Sequence, residues 1–235
     1  LSRWSETTAV FGGAFDPPHL GHVQAVRGLF TFPGVARVLV LPTADPPHKA
    51  ATTPADDRLA LARAAFSPDE GFPGPVEVDD RELLRARRTG APSYTFDTLA
   101  ELRPLYRRLA FVLGADQLQA LPRWHRFPEL LEAADWICLA RKPGGDAAAR
   151  AALRELQASG LARPTTDREW SVGRQGSCRL LLAPTEAPAI SSTEIREQIG
   201  RVGRIPEDLL QDRVSRHLKS RGLYGTEGTP KERTE

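Results

Sequence analysis

Methionine is absent from the 235 residues, and cysteine occurs twice, at Cys138 and Cys178, far apart and outside any C-x-x-C pair. Neither a cysteine-rich metal site nor a disulfide framework follows from so few thiols. Both read as small buried hydrophobes in a reducing, cytoplasmic setting. The missing methionine is a trait of composition, such as a GC-rich coding bias or an unusual start, and bears on no function. No apolar run approaches the length of a bilayer span, and no charged stretch precedes an apolar core near the N-terminus, so neither a membrane helix nor a secretory signal is expected. Arginine is in slight excess, giving a net charge of +2, but it is scattered and forms no basic block that would track a nucleic-acid backbone. Internal repeats are absent as well.

What remains is an ordinary globular composition, 40% apolar and 26% charged. The length suits one α/β domain, expected over 7–224 with a small C-terminal helical part at about 191–224 and a disordered polar tail at 225–235. Ala9–Phe11 reads as a short buried strand, and His19 to Phe30 as the first helix. Arg37-Val38-Leu39-Val40-Leu41 is a continuous apolar, β-branched run, suited to a parallel strand buried on both faces. The loop from Pro42 to Pro54 holds four prolines and leads into a helix over Asp56–Phe66. Val76–Val78 is a third strand, followed by polar Asp79–Leu83. Tyr94 to Tyr106 reads as a helix with Phe96, Leu99 and Leu102 on one side. Leu109–Leu113 and Trp136–Leu139 are further strands, a helix covers about 146–157, and Arg179–Leu182 is the last strand. Helices follow Ser191 and end near Leu218. Strands alternating with helices predict a Rossmann-like, doubly wound parallel sheet with helices on both faces, where ligands collect at the carboxyl ends of the strands.

The motifs fall at those ends. After the first strand comes Gly12-Gly13-Ala14-Phe15-Asp16-Pro17-Pro18-His19-Leu20-Gly21-His22. Two glycines allow close approach to a bulky ligand, two prolines stiffen the turn, and two imidazoles three positions apart share one face at a helix start. A helix N-terminus attracts anions, so this is a site suited to a polyphosphate. A metal site with Asp16 as third ligand is the competing reading. The constrained Pro-Pro turn and the lack of a carboxylate or cysteine cluster weigh against it. The second motif is Ile190-Ser191-Ser192-Thr193-Glu194-Ile195-Arg196. In isolation Ser191-x-x-Glu194 is a capping box, which leaves two spare hydroxyls and Arg196 in the same turn region unexplained.

The first run resembles the GxFxPxHxGH signature of the nucleotidyltransferase superfamily, and the second its ISSTxxR signature. Between them stand, in one order, Pro46-Pro47-His48-Lys49, Arg81-Glu82-Leu83, Pro92-Ser93-Tyr94-Thr95, Gly114-Ala115-Asp116, Trp124 and Arg141-Lys142-Pro143-Gly144. Together these resemble the bacterial nicotinate-mononucleotide adenylyltransferases from Val10 to Tyr224. The resemblance implies adenylyl transfer from ATP to nicotinate mononucleotide. On it, His19, His22 and Arg196 are the catalytic residues, with His22 nearest the α-phosphate. Gly12, Gly13, Phe15, Ile190, Ser191, Ser192 and Thr193 join them around ATP. Lys49 lends a charge from the proline-rich loop, and Gly114 and Asp116 fix the adenosine. Thr95 and the backbone beside His125 face the nicotinate carboxylate, Trp124 stacks on the pyridine, and Phe15, Thr43, Ser93, Tyr94 and Arg141 complete the mononucleotide site. Thr43-Ala44 stands where some relatives carry Asn. Mg²⁺ is implied as cofactor, held mainly by substrate phosphates and water rather than by a protein metal site.

Alternatives are another member of the superfamily, such as a phosphopantetheine adenylyltransferase, and a non-catalytic nucleotide-binding regulator. The acceptor-side segments oppose the first, and the intact histidine pair with Arg196 opposes the second. A dehydrogenase-type module needs GxGxxG after the first strand, and this spacing is absent.

Overall fold

The computed structural model describes residues 4–32, 34–44, 53–141, 144–188 and 190–226, and of Arg141 the backbone alone. The expected Lys49 contact and its Pro46–His48 neighbours, Lys142-Pro143 and most of the expected tail lie outside these residues.

Eight strands form one sheet: β1 (Thr7–Gly13), β2 (Val35–Pro42), β3 (Val76–Val78), β4 (Arg108–Gly114), β5 (Asp135–Arg141), β6 (Ala162–Pro164), β7 (Glu169–Val172) and β8 (Cys178–Thr185), in the order β3-β2-β1-β4-β5-β8-β7-β6. From β3 through β8 every neighbour pairs in parallel. The β-branched alternation of β2 explains why. Val38 and Val40 enter a core cluster on one face of the sheet, and Leu39 and Leu41 enter the cluster on the other.

On the first face lie α1 (Leu20–Leu29), α2 (Ala55–Ala65), α7 (Ser192–Val202) and α8 (Asp212–Arg221), contributing Val26, Leu61, Ile195 and Val214. On the second lie α4 (Thr95–Leu102), α5 (Ala115–Ala120) and α6 (Gly145–Ala158), contributing Leu99, Leu118 and Leu153. Each such side chain contributes roughly 1.5–3 kcal/mol on burial.

Three differences from the sequence reading have local causes. The sheet is not wholly parallel: β6 and β7 form an antiparallel hairpin beside β8, where no strand is expected. Both are short, and Pro164 confines β6 to the edge, where a missing N–H costs no ladder bond. The polar stretch from residue 81 is a helix, α3 (Arg81–Thr89), ended by Gly90 at φ 66°. The helix expected to reach Tyr106 stops at Leu102, because Pro104 disfavours helical geometry just before it. At the chain's end, Thr226 is buried and its hydroxyl donates to the carbonyls of Leu218 and Leu223 at 2.9 Å, so the packed structure takes in two positions expected in the tail.

Strand order reverses beside β1, since β2 and β3 run to one side and β4 and β5 to the other. The carboxyl ends of β1 and β4 therefore splay into a crevice. Gly12-Gly13 ends one of these strands and Gly114 the other.

Candidate active site

Two regions meet around that crevice. The first is the turn from Ala14 to His22. His19 caps α1, and its ring stacks on His22 with centroids 3.8 Å apart. The His19 backbone N–H donates to His22 Nδ1 at 3.2 Å. A neutral His22 that accepts at Nδ1 carries its proton on Nε2, so the turn presets the tautomer as an Nε2–H donor. Gly21 is needed here for space: a Cβ would lie 2.9 Å from the Pro188 carbonyl oxygen and 3.0 Å from His19 Nδ1. The Phe15 ring is buried, edge-on to both His22 and Phe66. Its ring therefore packs against the His22 ring and braces it.

The second motif closes on this turn. Ser191 caps α7 by accepting from the Thr193 N–H at 3.2 Å, so the capping reading is correct for Ser191. Ser192 and Arg196 do something further. The Ser192 hydroxyl donates to the Pro17 carbonyl at 2.8 Å, and Arg196 Nη1 to the Asp16 carbonyl at 2.6 Å, with Asp16 Oδ2 3.9 Å away. Arg196 Nη2 reaches the Thr193 hydroxyl at 3.4 Å. The two signatures, 180 residues apart, thus form one structure. Ile190 leads into it, its N–H donating to the Pro188 carbonyl at 2.9 Å.

Three contributors escape sequence reasoning. Tyr224 donates its phenol to Asp16 Oδ1 at 2.6 Å, and burial together with this bond pushes the phenol well above its ordinary value. Arg58, almost wholly buried on α2, donates to the carbonyls of Ala14 (2.9 Å), Thr43 (2.6 Å), Ala44 (2.6 Å) and Thr53 (3.1 Å). It ties both described ends of the proline-rich loop to the glycine turn. Glu82, part of a motif but given no role, is a buried acid in the wall described next. Its only local signal is a carboxylate at a helix start.

Beside the turn lies a cavity of about 620 Å³. Thr43, Ser93, Tyr94, Thr95, Trp124 and His125, all expected at the mononucleotide, line it together with Gly12, Gly13 and Ala14. Trp124 stands edge-on to Phe111 with centroids 6.0 Å apart, and Tyr94 stacks on His125 at 4.1 Å. Asp116, expected on the adenosine side, lines this same cavity. Gly114 makes room for it: a Cβ there would sit 2.6 Å from Asp116 Oδ1. The histidine pair, Ser191–Thr193 and Arg196 are not part of this wall, so the site has two sides joined by residues 12–16: an aromatic side, and a side, expected at the phosphates and called the phosphate side below, that holds the two motifs.

Among the described residues no group of three or more His, Cys, Asp or Glu could hold a metal, and no helix is long and apolar enough to cross a membrane. A family model described as cytidylyltransferase-like matches residues 10–198. A probable nicotinate-nucleotide adenylyltransferase of Sodalis glossinidius is 36% identical over 222 residues, covering 92% of this chain and 96% of that protein. One from Serratia proteamaculans is 37% identical over 220 residues, covering 92% and 94%. The fold is shared with the nicotinic acid mononucleotide adenylyltransferase of Plasmodium falciparum solved with NaAD, at a TM-score of 0.63 and 15% identity over 93% of this chain and 97% of that one. The chain belongs to the cytidylyltransferase-like family, among its nicotinate-nucleotide adenylyltransferases.

Proposed function

We propose that the protein transfers the adenylyl group of ATP to nicotinate mononucleotide, releasing pyrophosphate and forming nicotinate adenine dinucleotide. The observation that carries this reading is the shared loop. At Gly12–Ala14 it walls the aromatic cavity, and at Asp16–His19 it carries the cationic and hydroxyl groups of both signatures. One ligand's phosphate on the aromatic side is thereby brought against another's on the phosphate side.

The attacking 5′-phosphate is anionic at neutral pH, so the reaction needs no general base. It needs in-line placement of two polyanions and stabilisation of charge on the α-phosphoryl as it becomes crowded. In this reading His22 donates from Nε2 to an α-phosphoryl oxygen. Arg196, Ser192, Thr193 and the first N–H groups of α7 hold the outer phosphates and the departing pyrophosphate. His19 positions His22 by stacking and by its backbone N–H. Trp124 offers the pyridine a flat face, and Thr95 with the His125 backbone meets its carboxylate. Asp116 takes ribose hydroxyls from the cavity wall.

A magnesium ion carried on the triphosphate would neutralise its outer charge. The donor set fits an ion held by substrate and water: the motif side chains named at the phosphate side are cationic or hydroxyl, and the Asp16 carboxylate is engaged by Tyr224 and Arg196. Both cysteines are free, with Cys138 buried and its pKa pushed up to about 12 by desolvation, so neither thiol takes part in the reading.

The test is a single assay with ATP, Mg²⁺ and, in parallel, nicotinate and nicotinamide mononucleotide, with products separated by chromatography. Nicotinate adenine dinucleotide and an equal amount of pyrophosphate are expected. Absence of any dinucleotide with either acceptor overturns the reading.

A further inference from the structure

Two opposite charges stand side by side where the two motifs meet, yet they are paired only loosely. Asp16 is 3% exposed, and its Oδ2 lies 3.9 Å from Arg196 Nη1, the outer limit of an ion pair. A carboxylate beside a guanidinium is drawn into shorter, parallel bonds, because such charge-assisted pairs are strong and burial strengthens them further. Arg196 instead donates to the Asp16 main-chain carbonyl at 2.6 Å, and Nη2 reaches the Thr193 hydroxyl at 3.4 Å. Both acceptors are neutral, so neither cancels the charge of the guanidinium.

What occupies the carboxylate comes from the far end of the chain. Tyr224, a phenol protonated at neutral pH, donates to Asp16 Oδ1 at 2.6 Å. That bond takes one oxygen and fixes the plane of the carboxylate, whose terminal torsion is otherwise broad. The backbone is wound to deliver it. Gly222, Tyr224 and Gly225 all take left-handed geometry, at φ 61°, 60° and 84°, which disfavours any residue with a Cβ. Such a conformation at a tyrosine persists where surrounding contacts over-determine it. Here the buried Thr226 hydroxyl ties the turn back to the carbonyls of Leu218 and Leu223.

We propose that Tyr224 is a positioning residue of the phosphate side: by holding the Asp16 carboxylate it keeps that group from pairing fully with Arg196, and so leaves the guanidinium charge for a triphosphate. This rests on the proposed reaction and deepens it. Without the phenol, the freed carboxylate turns onto Arg196 and competes with the incoming anion for the same donors.

The test measures calorimetrically the binding of the α,β-methylene analogue of ATP with Mg²⁺, and of nicotinate mononucleotide. The proteins are wild type, Tyr224→Phe and the double variant Tyr224→Phe with Asp16→Asn, and dinucleotide formation is assayed in parallel. Tyr224→Phe keeps the ring and removes only the donor. It should weaken the ATP analogue about tenfold and leave the mononucleotide within about twofold. In the double variant the analogue should return to within about threefold of wild type, because a neutral amide cannot cancel the charge of Arg196. The proposal is overturned if Tyr224→Phe binds the analogue as wild type does, or if it weakens both ligands alike. It is equally overturned if the double variant is no tighter than Tyr224→Phe, as a purely structural tether would give, or if wild type does not bind the analogue. Should Tyr224→Phe not fold, the double variant decides alone: affinity near that of wild type supports the proposal, and loss of affinity overturns it. Loss and rescue of analogue binding in a protein that forms no dinucleotide would sink the proposed reaction and leave this role standing.

Discussion

The phosphate side and the aromatic side of the crevice are built on opposite plans. On the phosphate side the two motifs bond to one another: Arg196 and Ser192 hold the carbonyls of Asp16 and Pro17, and Tyr224 holds the Asp16 carboxylate. Leu20 N–H donates to the Leu209 carbonyl at 2.9 Å in the same region. On the aromatic side the rings pack on one another, Tyr94 on His125 and Trp124 against Phe111. The first plan fixes donors in place before charge develops, which is what electrostatic stabilisation of a phosphoryl group requires. The second leaves selection to the fit of one ligand against those rings. In the proposed reaction, rate would rest on the first wall and the choice of acceptor on the second.

If that division is correct, the largest effect should come from the residue that ties the proline-rich loop to the glycine turn shared by both sides. Arg58→Met removes the donor from four carbonyls around Ala14, Thr43, Ala44 and Thr53, and should destabilise the fold by about 3–5 kcal/mol, read from urea unfolding midpoints. A loss below about 1 kcal/mol would show the loops held by other means. Next, His22→Ala should cut turnover roughly a hundredfold or more with little change in the KM for the mononucleotide, measured as pyrophosphate release. Wild-type turnover in that variant would remove His22 from the phosphate side altogether. Smaller still, Trp124→Ala should raise the mononucleotide KM about tenfold, in line with one lost stacking contact, and leave the KM for ATP nearly unchanged. A dominant loss of ATP affinity would erase the boundary between the two sides.

Legibility in the sequence followed the range of each interaction. The central strands were readable because Val38–Leu41 carries its own pattern, apolar on both faces, and burial alone explains it. The signature at residues 12–22 was readable for the same reason of locality, since His19 and His22 meet across one helical turn. The β6–β7 hairpin was not, because strands of three and four residues beside polar turns lack enough periodicity to stand out. Nor was Arg58: its partners are main-chain carbonyls, which every residue possesses and no residue type advertises. Phe15 was read as a ligand contact from the motif alone, and the packing of its ring against His22 and Phe66 was not legible because it depends on a residue far along the chain. Asp116 was assigned to adenosine through the resemblance alone, and the structure places it in the cavity wall that also holds Trp124.

The bond from Tyr224 to Asp16 spans 208 positions of the chain. A ribosome making this polypeptide has therefore passed the glycine turn, the histidine pair and every strand of the parallel sheet before it reaches the phenol that bonds the turn. Until Tyr224 folds back, the nascent protein carries the turn without its bond to the Asp16 carboxylate.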